Sequence, residues 1–419
     1  MKKLLLCLAV GLNATTITNL FDAIKNTPDY KLDKIMVNEM KIDKDSIQSL
    51  LYPKITLTGS MEHFNRYNSM APLTPIQSAE ITKTGDSIPF SKNINKLGFS
   101  ISMPIFIKEI YDNKKKMEVL LKASKISSNI EILKKDALIV IYVSKLNYLF
   151  SLKKALLNQK TSIQKSYDSL SVGVKVGRIP EFKLLRLKDS LNQIKIKISN
   201  INQNIDEIKS SIYKLTLLNI DKPIKFSSLE INKGEFISIK PIQLQLKASE
   251  YDIKSKKDSF YPKVNLKLQG NKSFGDAYNT NENIEENFAS AGIYVSWDIF
   301  NKKSNSSIQK SKIEYLKESY KLAKLKKDLE SEIVKIDSSL KEVNKQIGFI
   351  KESIKLKKEL LKGAKVAFKL NRMSVDEYLK YEDDLTTAYA NLADLIATKN
   401  QFKANKALIY GENFKRIFK

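Results

Sequence analysis

The chain has 419 residues, of which 42% are hydrophobic and 28% charged, with only 13 glycines and 10 prolines; this excludes a disordered polyelectrolyte and suits long helices with few turns. The formal charge is +26, but it comes from 67 lysines and only 5 arginines (Arg66, Arg178, Arg186, Arg372 and Arg416). Lysine spread along helices is a solvated face, whereas nucleic-acid readout favours the arginine fork, so no nucleic-acid partner is expected. One cysteine, Cys7, and one histidine, His63, exclude a Cys/His zinc site, a Cys–His nucleophile pair and a disulfide framework.

The first residues read as a secretory signal. Lys2 and Lys3 precede an apolar run from Leu4 to Leu12, and Asn13-Ala14 ends it. Residues 1–14 are expected to be removed near Ala14, although Leu12 stands where a small residue is usual. The other reading is a lipoprotein with Cys7 acylated, and Leu4-Leu5-Leu6 before it lacks the small residues such a site uses. No later stretch is apolar enough for a transmembrane helix. A helix is predicted from about Asn19 to Leu50.

The rest of the chain is written twice. Leu97-Gly98-Phe99-Ser100-Ile101-Ser102-Met103-Pro104-Ile105-Phe106 matches Ala291-Gly292-Ile293-Tyr294-Val295-Ser296-Trp297-Asp298-Ile299-Phe300 at an offset of 194 residues, and the same offset aligns Arg178 with Arg372 and Leu191 with Leu385. Tyr52-Pro53-Lys54-Ile55-Thr56-Leu57 matches Tyr261-Pro262-Lys263-Val264-Asn265-Leu266 at an offset of 209, so the first copy holds 15 more residues between its paired segments. One variable loop in otherwise constant spacing is the mark of a duplication. We read 15–222 as the first repeat, 223–239 as a linker with little regular structure, and 240–419 as the second repeat.

Each copy holds two strand-like segments. Ile55, Leu57, Gly59 and Met61 alternate with Lys54, Thr56, Thr58 and Ser60, and Leu97, Phe99, Ile101 and Met103 alternate with Gly98, Ser100 and Ser102. In the second copy Val264, Leu266 and Leu268 alternate with Lys263, Asn265 and Lys267, and Ile293, Val295, Trp297 and Ile299 with Tyr294, Ser296 and Asp298. Period-two alternation puts one set on each face. Strands of about ten residues fit a tilted bilayer crossing with the apolar set toward lipid, or a soluble antiparallel sheet with one wet face. The polar stretches Glu62 to Lys96 and Asn271 to Ser290 are predicted as loops.

A proline-free helix follows each pair, from about Lys108 to Val176 and from about Lys302 to Leu370. About 70 residues at 1.5 Å rise each make on the order of 100 Å. Breaks at Gly177-Arg178-Ile179-Pro180 and Asn371-Arg372-Met373-Ser374 precede return helices, Glu181 to about Leu218 and Val375 to about Tyr410. Leu184, Leu187, Leu191, Ile194, Ile198, Ile201, Ile205, Ile208, Ile212 and Leu215 step by three and four, the seam of helices packed knobs-into-holes. Leu329, Ile333, Ile336, Leu340, Val343, Ile347, Ile350 and Ile354 do the same in the second long helix. The return helices are about half as long as their partners, and the helices Asn19 to Leu50 and Lys240 to Phe260 supply the other half. Four strands cannot close a membrane barrel, because open edges in lipid are prohibitively costly, so several chains must each contribute four.

In this order and spacing the chain resembles the TolC-like outer-membrane efflux proteins over nearly all of its mature length. The residues that carry the resemblance are Tyr52-Pro53 and Tyr261-Pro262, Pro104-Ile105-Phe106 and Asp298-Ile299-Phe300-Asn301, Val176-Gly177-Arg178, and Phe368 to Val375. The resemblance implies an α+β membrane protein: a homotrimeric 12-stranded β-barrel in the outer membrane of a Gram-negative cell, continuous with a periplasmic α-helical barrel. It implies a passive conduit without cofactor, metal or catalysis, working with a periplasmic adaptor protein and an inner-membrane pump. It places the periplasmic tips and adaptor docking at Gly177, Arg178, Ile179, Pro180, Asn371, Arg372, Met373 and Ser374. The family's acidic constriction falls on Glu377 and then on Lys380, a reversal of sign, with Lys183 and Arg186 at the first-copy equivalents. Glu377 paired with Lys380, Lys183 or Arg186 is the expected entrance gate; solvated helix-end charges are the other reading. An exported coiled-coil or adhesin-like scaffold without a channel is the alternative function. An enzyme finds no support, since Asp383 and Asp384 sit on a seam helix without a base, metal ligand or phosphate loop.

Overall fold

The computed structural model describes residues 16–419. The expected signal segment, with Cys7, lies outside the described residues. The elements in chain order are α1 (Ile17–Ala23), α2 (Pro28–Ser49), β1 (Lys54–Ser69), α3 (Pro75–Thr84), β2 (Phe90–Phe106), α4 (Lys108–Lys175), α5 (Glu181–Thr216), α6 (Ile239–Asp258), β3 (Lys263–Asp276), β4 (Asn283–Ser296), α7 (Lys302–Lys369), α8 (Val375–Tyr410) and α9 (Phe414–Ile417). The two long helices, each of 68 residues, are continuous. The predicted helix Asn19 to Leu50 is instead α1 and α2 separated by a turn of 3-10 helix over Ile24–Asn26. Pro28 has no N–H to continue a helix and opens the next one.

The chain divides into two compact units, neither of which is a repeat: one gathers 16–36, Lys125–Lys240 and Ala323–Lys419, the other Val37–Ser124 and Pro241–Leu322. In the second unit the four strands form one antiparallel sheet in the order β1-β2-β3-β4. Its register keeps the predicted faces. Leu57 stands opposite Phe99, Phe99 opposite Gly270 and Gly270 opposite Ala289 on the apolar face. Thr56, Ser100, Gln269 and Ser290 form a row on the other. The apolar face is bare, with Leu57 81%, Met61 90% and Ile293 67% exposed.

The strands are longer than predicted. The stretch Glu62 to Lys96 holds the end of β1, the helix α3 and the start of β2, and 277–282 is all that separates β3 from β4. These extensions carry polar residues on both faces, so the alternation that betrays a strand disappears while the strands run on, β1 through a register shift between His63 and Asn68. Most of the 15 extra residues of the first copy lie in α3, a helix of 10 residues that opens on a Thr74–Gln77 capping box. At its other end β4 stops at Ser296, short of Ile299; Trp297 turns its indole N–H to the Phe260 carbonyl at 2.8 Å. In the same unit Asp252 of α6 accepts from Lys116 of α4 at 2.7 Å and from Ser311 of α7 at 2.7 Å, and so joins three helices.

The first unit holds the apolar core. Seven of the ten predicted seam residues of α5, from Leu187 to Ile212, are buried, and Leu184, Ile198 and Leu215 pack against them. Ile139, Leu146, Leu149 and Leu156 of α4 meet them, and α1 and α9 are tucked into the same core through Leu20, Phe21, Phe414 and Phe418. Residues 223–238 of the linker hold neither helix nor strand, and Ile239 already opens α6; Ser228 bridges to Phe418, and Asn147 of α4 clamps the Ile224 amide and carbonyl. On α7, Val334 and Phe349 lie outside the seam and are each 70% exposed.

A buried carboxyl with an unpartnered oxygen interrupts this core. Asp136 of α4 is 8% exposed, and its Oδ1 has no hydrogen-bond partner. Burial pushes its carboxyl up from 3.8 to about 7, against the pull of Lys415 and Lys25 and with the help of Asp22. A raised acid favours the fold fully below its ordinary value, and that contribution is lost as pH rises through about 7. Asp136→Asn removes the dependence. Its stability relative to the native chain should rise by on the order of a few kcal/mol from about pH 5 to about pH 8, read from thermal unfolding at both.

Candidate functional site

The two predicted tips have the same backbone. At the end of α4, Gly177 is left-handed (φ 71°). Its N–H donates to the Val174 carbonyl at 2.9 Å, and the Arg178 N–H donates to the Gly173 carbonyl at 2.9 Å. At the end of α7, Asn371 is left-handed (φ 58°), with the Asn371 N–H on Phe368 at 3.0 Å and the Arg372 N–H on Ala367 at 2.9 Å. This is the Schellman termination, which satisfies the last carbonyls of a helix and turns the chain, and it favours glycine or asparagine at the left-handed position. The two residues are 194 positions apart, the offset of the repeat. Ile179 folds back over Gly173, where a Cβ would meet its side chain at 2.5 Å.

The return helices begin differently. Pro180 precedes α5 without a side-chain cap. Ser374 caps α8 in a full capping box: its Oγ accepts from the Glu377 N–H at 3.2 Å, while Glu377 accepts from the Ser374 N–H and hydroxyl, each at 2.9 Å. The Ser374 amide and hydroxyl hold the Glu377 carboxyl below its ordinary range.

These bonds redistribute the expected gate. Within the protomer Glu377 is committed to Ser374. Asp376, one residue earlier and not singled out from the sequence, takes Arg186 at 2.8 Å, and Lys183 donates to the Asn371 side chain at 3.4 Å. Lys380 is exposed and has no ion pair among the described residues. The structure therefore brings Lys183, Arg186 and the second tip together and leaves Lys380 apart. A groove of about 730 Å³ opens here, with Phe182, Leu185 and Met373 along it and Lys183, Arg186 and Arg372 at its edge.

Behind the tip lies a buried polar cluster that the sequence did not single out. Tyr378 of α8 is fully buried and stacks on Phe368 of α7 at 4.5 Å between ring centroids. Its hydroxyl donates to Glu382 at 2.8 Å and accepts from Ser166 of α4 at 3.0 Å. Glu382 also accepts from the Ser162 hydroxyl and pairs with Lys365 at 3.3 Å. Burial pushes the Tyr378 phenol up to about 12, so it stays a donor throughout the physiological range. Three helices are thus tied at one carboxylate. The available signal was the spacing: a seam tyrosine with a carboxylate four residues on reads as an i, i+4 pair. Asp383 faces Gln159 at 3.3 Å and Asp384 faces Lys357 at 3.5 Å. Among the described residues no group of three or more His, Cys, Asp or Glu side chains is placed to hold a metal ion.

No protein-family model and no curated protein sequence matches the chain. Solved structures do match it. CusC, described for its folding and transmembrane channel formation, aligns with a TM-score of 0.78 at 12% identity, covering 97% of this chain and 96% of that one. The CmeC outer membrane channel of Campylobacter jejuni aligns at 0.76 and 16% identity, over 96% and 88%. The outer membrane protein VceC of Vibrio cholerae aligns at 0.77 and 12%, over 95% and 96%. The chain has the fold of these outer-membrane channels, which is the fold that the TolC-like resemblance implies.

Tyr378→Phe keeps the stack on Phe368 but leaves the buried Glu382 short of a donor. It should cost about 1.5–3 kcal/mol, and Tyr378→Ala about 3–5 kcal/mol, measured as shifts of the unfolding midpoint.

Proposed function

We propose that the chain is one protomer of a homotrimeric outer-membrane channel, a passive conduit that catalyses nothing. It would carry solutes from an inner-membrane pump and a periplasmic adaptor to the outside, as part of a tripartite efflux or type I secretion system. Residues 1–14 serve as its export signal, and two repeats, 15–222 and 240–419, are joined by 223–239.

The observation that carries this reading is the sheet. It has one bare apolar face, one polar face and outer strands, β1 and β4, with no further partner among the described residues. Lipid covers the apolar face, and pairing of β1 with β4 of the next protomer removes the edges. Three chains of four strands give a twelve-stranded barrel wide enough for a solute. The exposed Val334 and Phe349 of α7 offer a second surface to a neighbouring protomer. The whole-length likeness to outer-membrane channels supports the same reading. A coiled-coil scaffold without a channel explains the seams but gives the apolar sheet face no role. Fractionation separates the two: the channel sediments with the outer membrane and requires detergent for extraction, while the scaffold is released by buffer.

The tips Gly177–Pro180 and Asn371–Ser374 are the proposed docking surface for the adaptor, with the groove between Phe182 and Met373 as its seat. The Arg186–Asp376 pair, with Lys183 on Asn371, fastens the first return helix to the second tip and holds the entrance narrow; Glu377 shapes the start of α8, and Lys380 stands free beside it. Both partners of the ion pair are more than half exposed, so its stability contribution is small, and its effect is on geometry. Arg186→Ala and Asp376→Ala should each raise the resting single-channel conductance in planar bilayers, and Glu377→Ala should raise it less. Unchanged conductance in all three would remove the gate role.

A further inference from the structure

The polar face of the sheet is not evenly charged. Lys54 of β1 stands opposite Ser102 of β2, Ser102 opposite Lys267 of β3, and Lys267 opposite Gly292 of β4. Two lysines therefore occupy one row across all four strands. Lys263 lies on the same face, opposite Ser296. The next rows, Thr56–Ser100–Gln269–Ser290 and Thr58–Gly98–Asn271–Phe288, are uncharged. No carboxylate stands on this face from the Lys263 row to the Thr58 row.

The acids of this face lie farther along. Glu62 pairs with Lys96 at 3.3 Å, and Glu286 stands two strands away in the Lys96 row. That end is close to neutral. At the lysine end, Lys263 has Glu109 at 3.9 Å. Lys54 and Lys267 pair with no carboxylate among the described residues. Lys267 lies over the Tyr294 ring at 4.8 Å, a contact that holds the ammonium on the face without cancelling its charge.

We infer that Lys54 and Lys267 form a selectivity ring for anions. The inference rests on the channel reading above. With three protomers, the two lysines of this row recur as a belt of six around a water-filled lumen, stepped in height because barrel strands are tilted. Rings of like charge in a low-dielectric wall focus the field and set the sign of the ion that passes. The ring favours anionic solutes and disfavours cations of equal size. Of the 67 lysines of the chain, these two stand on one row with no acid nearby, and that placement charges the lumen there.

The test is the reversal potential of the full-length protein in planar bilayers under a potassium chloride gradient. The native channel should prefer chloride. Lys54→Gln with Lys267→Gln should bring the reversal potential toward zero, and Lys54→Glu with Lys267→Glu should reverse its sign. Lys54→Arg with Lys267→Arg should retain the native value, and gel mobility of the trimer confirms that each variant assembles. A native channel that prefers potassium, or a reversal potential unmoved by charge reversal in assembled trimers, overturns the ring and leaves the channel reading intact. Failure of any preparation to conduct overturns the channel reading and the ring together.

Discussion

The pairing of backbone groups along β1 and β4 is the constraint from which the rest follows. Both are long outer strands, of 16 and 14 residues, and each presents a row of N–H and C=O groups beside a bare apolar face. In water such an edge is a template for aggregation. In lipid it is prohibitive unless closed. Closure by copies of the same chain satisfies both conditions at once. It also explains why the polar face is lined by Thr56, Thr58, Ser100, Gln269 and Asn271, side chains suited to a wet interior. The proposed function is the consequence of that closure rather than of any reactive group.

The helices solve a different problem with repeated parts. The Gly177 and Asn371 terminations are equivalent in both copies, because any long helix that must reverse needs its last carbonyls satisfied. Around those identical turns the side chains have diverged. Leu184 and Lys188 stand in the first copy where Tyr378 and Glu382 stand in the second. The buried knot of Tyr378, Glu382, Ser162 and Lys365 therefore exists once per chain. Likewise Phe182 occupies the position equivalent to Asp376, so Arg186 finds its acid only on the other tip. A duplicated scaffold acquires cross-links between its copies in this way.

Much of this was legible from residues alone. The three-and-four stepping from Leu184 to Leu215 marks the buried face of α5, since burial and periodicity are the same fact there. The alternation around Leu57, Phe99, Leu266 and Ile293 marks the two faces of the sheet, because one is apolar and the other polar. Where both faces meet polar surroundings, from Glu62 to Ser69 and from Asn283 to Glu286, the pattern vanishes and strands read as loops. The helix α3 was hidden for the same reason, being nearly all exposed. Side-chain pairing was the least legible: Glu377 and Asp376 are adjacent acids, and only the geometry of the capping box assigns one to Ser374 and frees the other for Arg186. The export signal stays an expectation from Lys2, Lys3 and the apolar run alone.

The most direct test is covalent capture of the β1–β4 seam between subunits. Thr58→Cys combined in turn with Ser290→Cys, Gly292→Cys and Tyr294→Cys places thiols along both edges of the polar face. Oxidation of outer membranes carrying these chains should give, for the pair in register, a ladder that stops at three chains and collapses on reduction. Bands that never exceed one chain for any pair, from a protein that leaves the membrane fraction without detergent, would contradict the closed barrel.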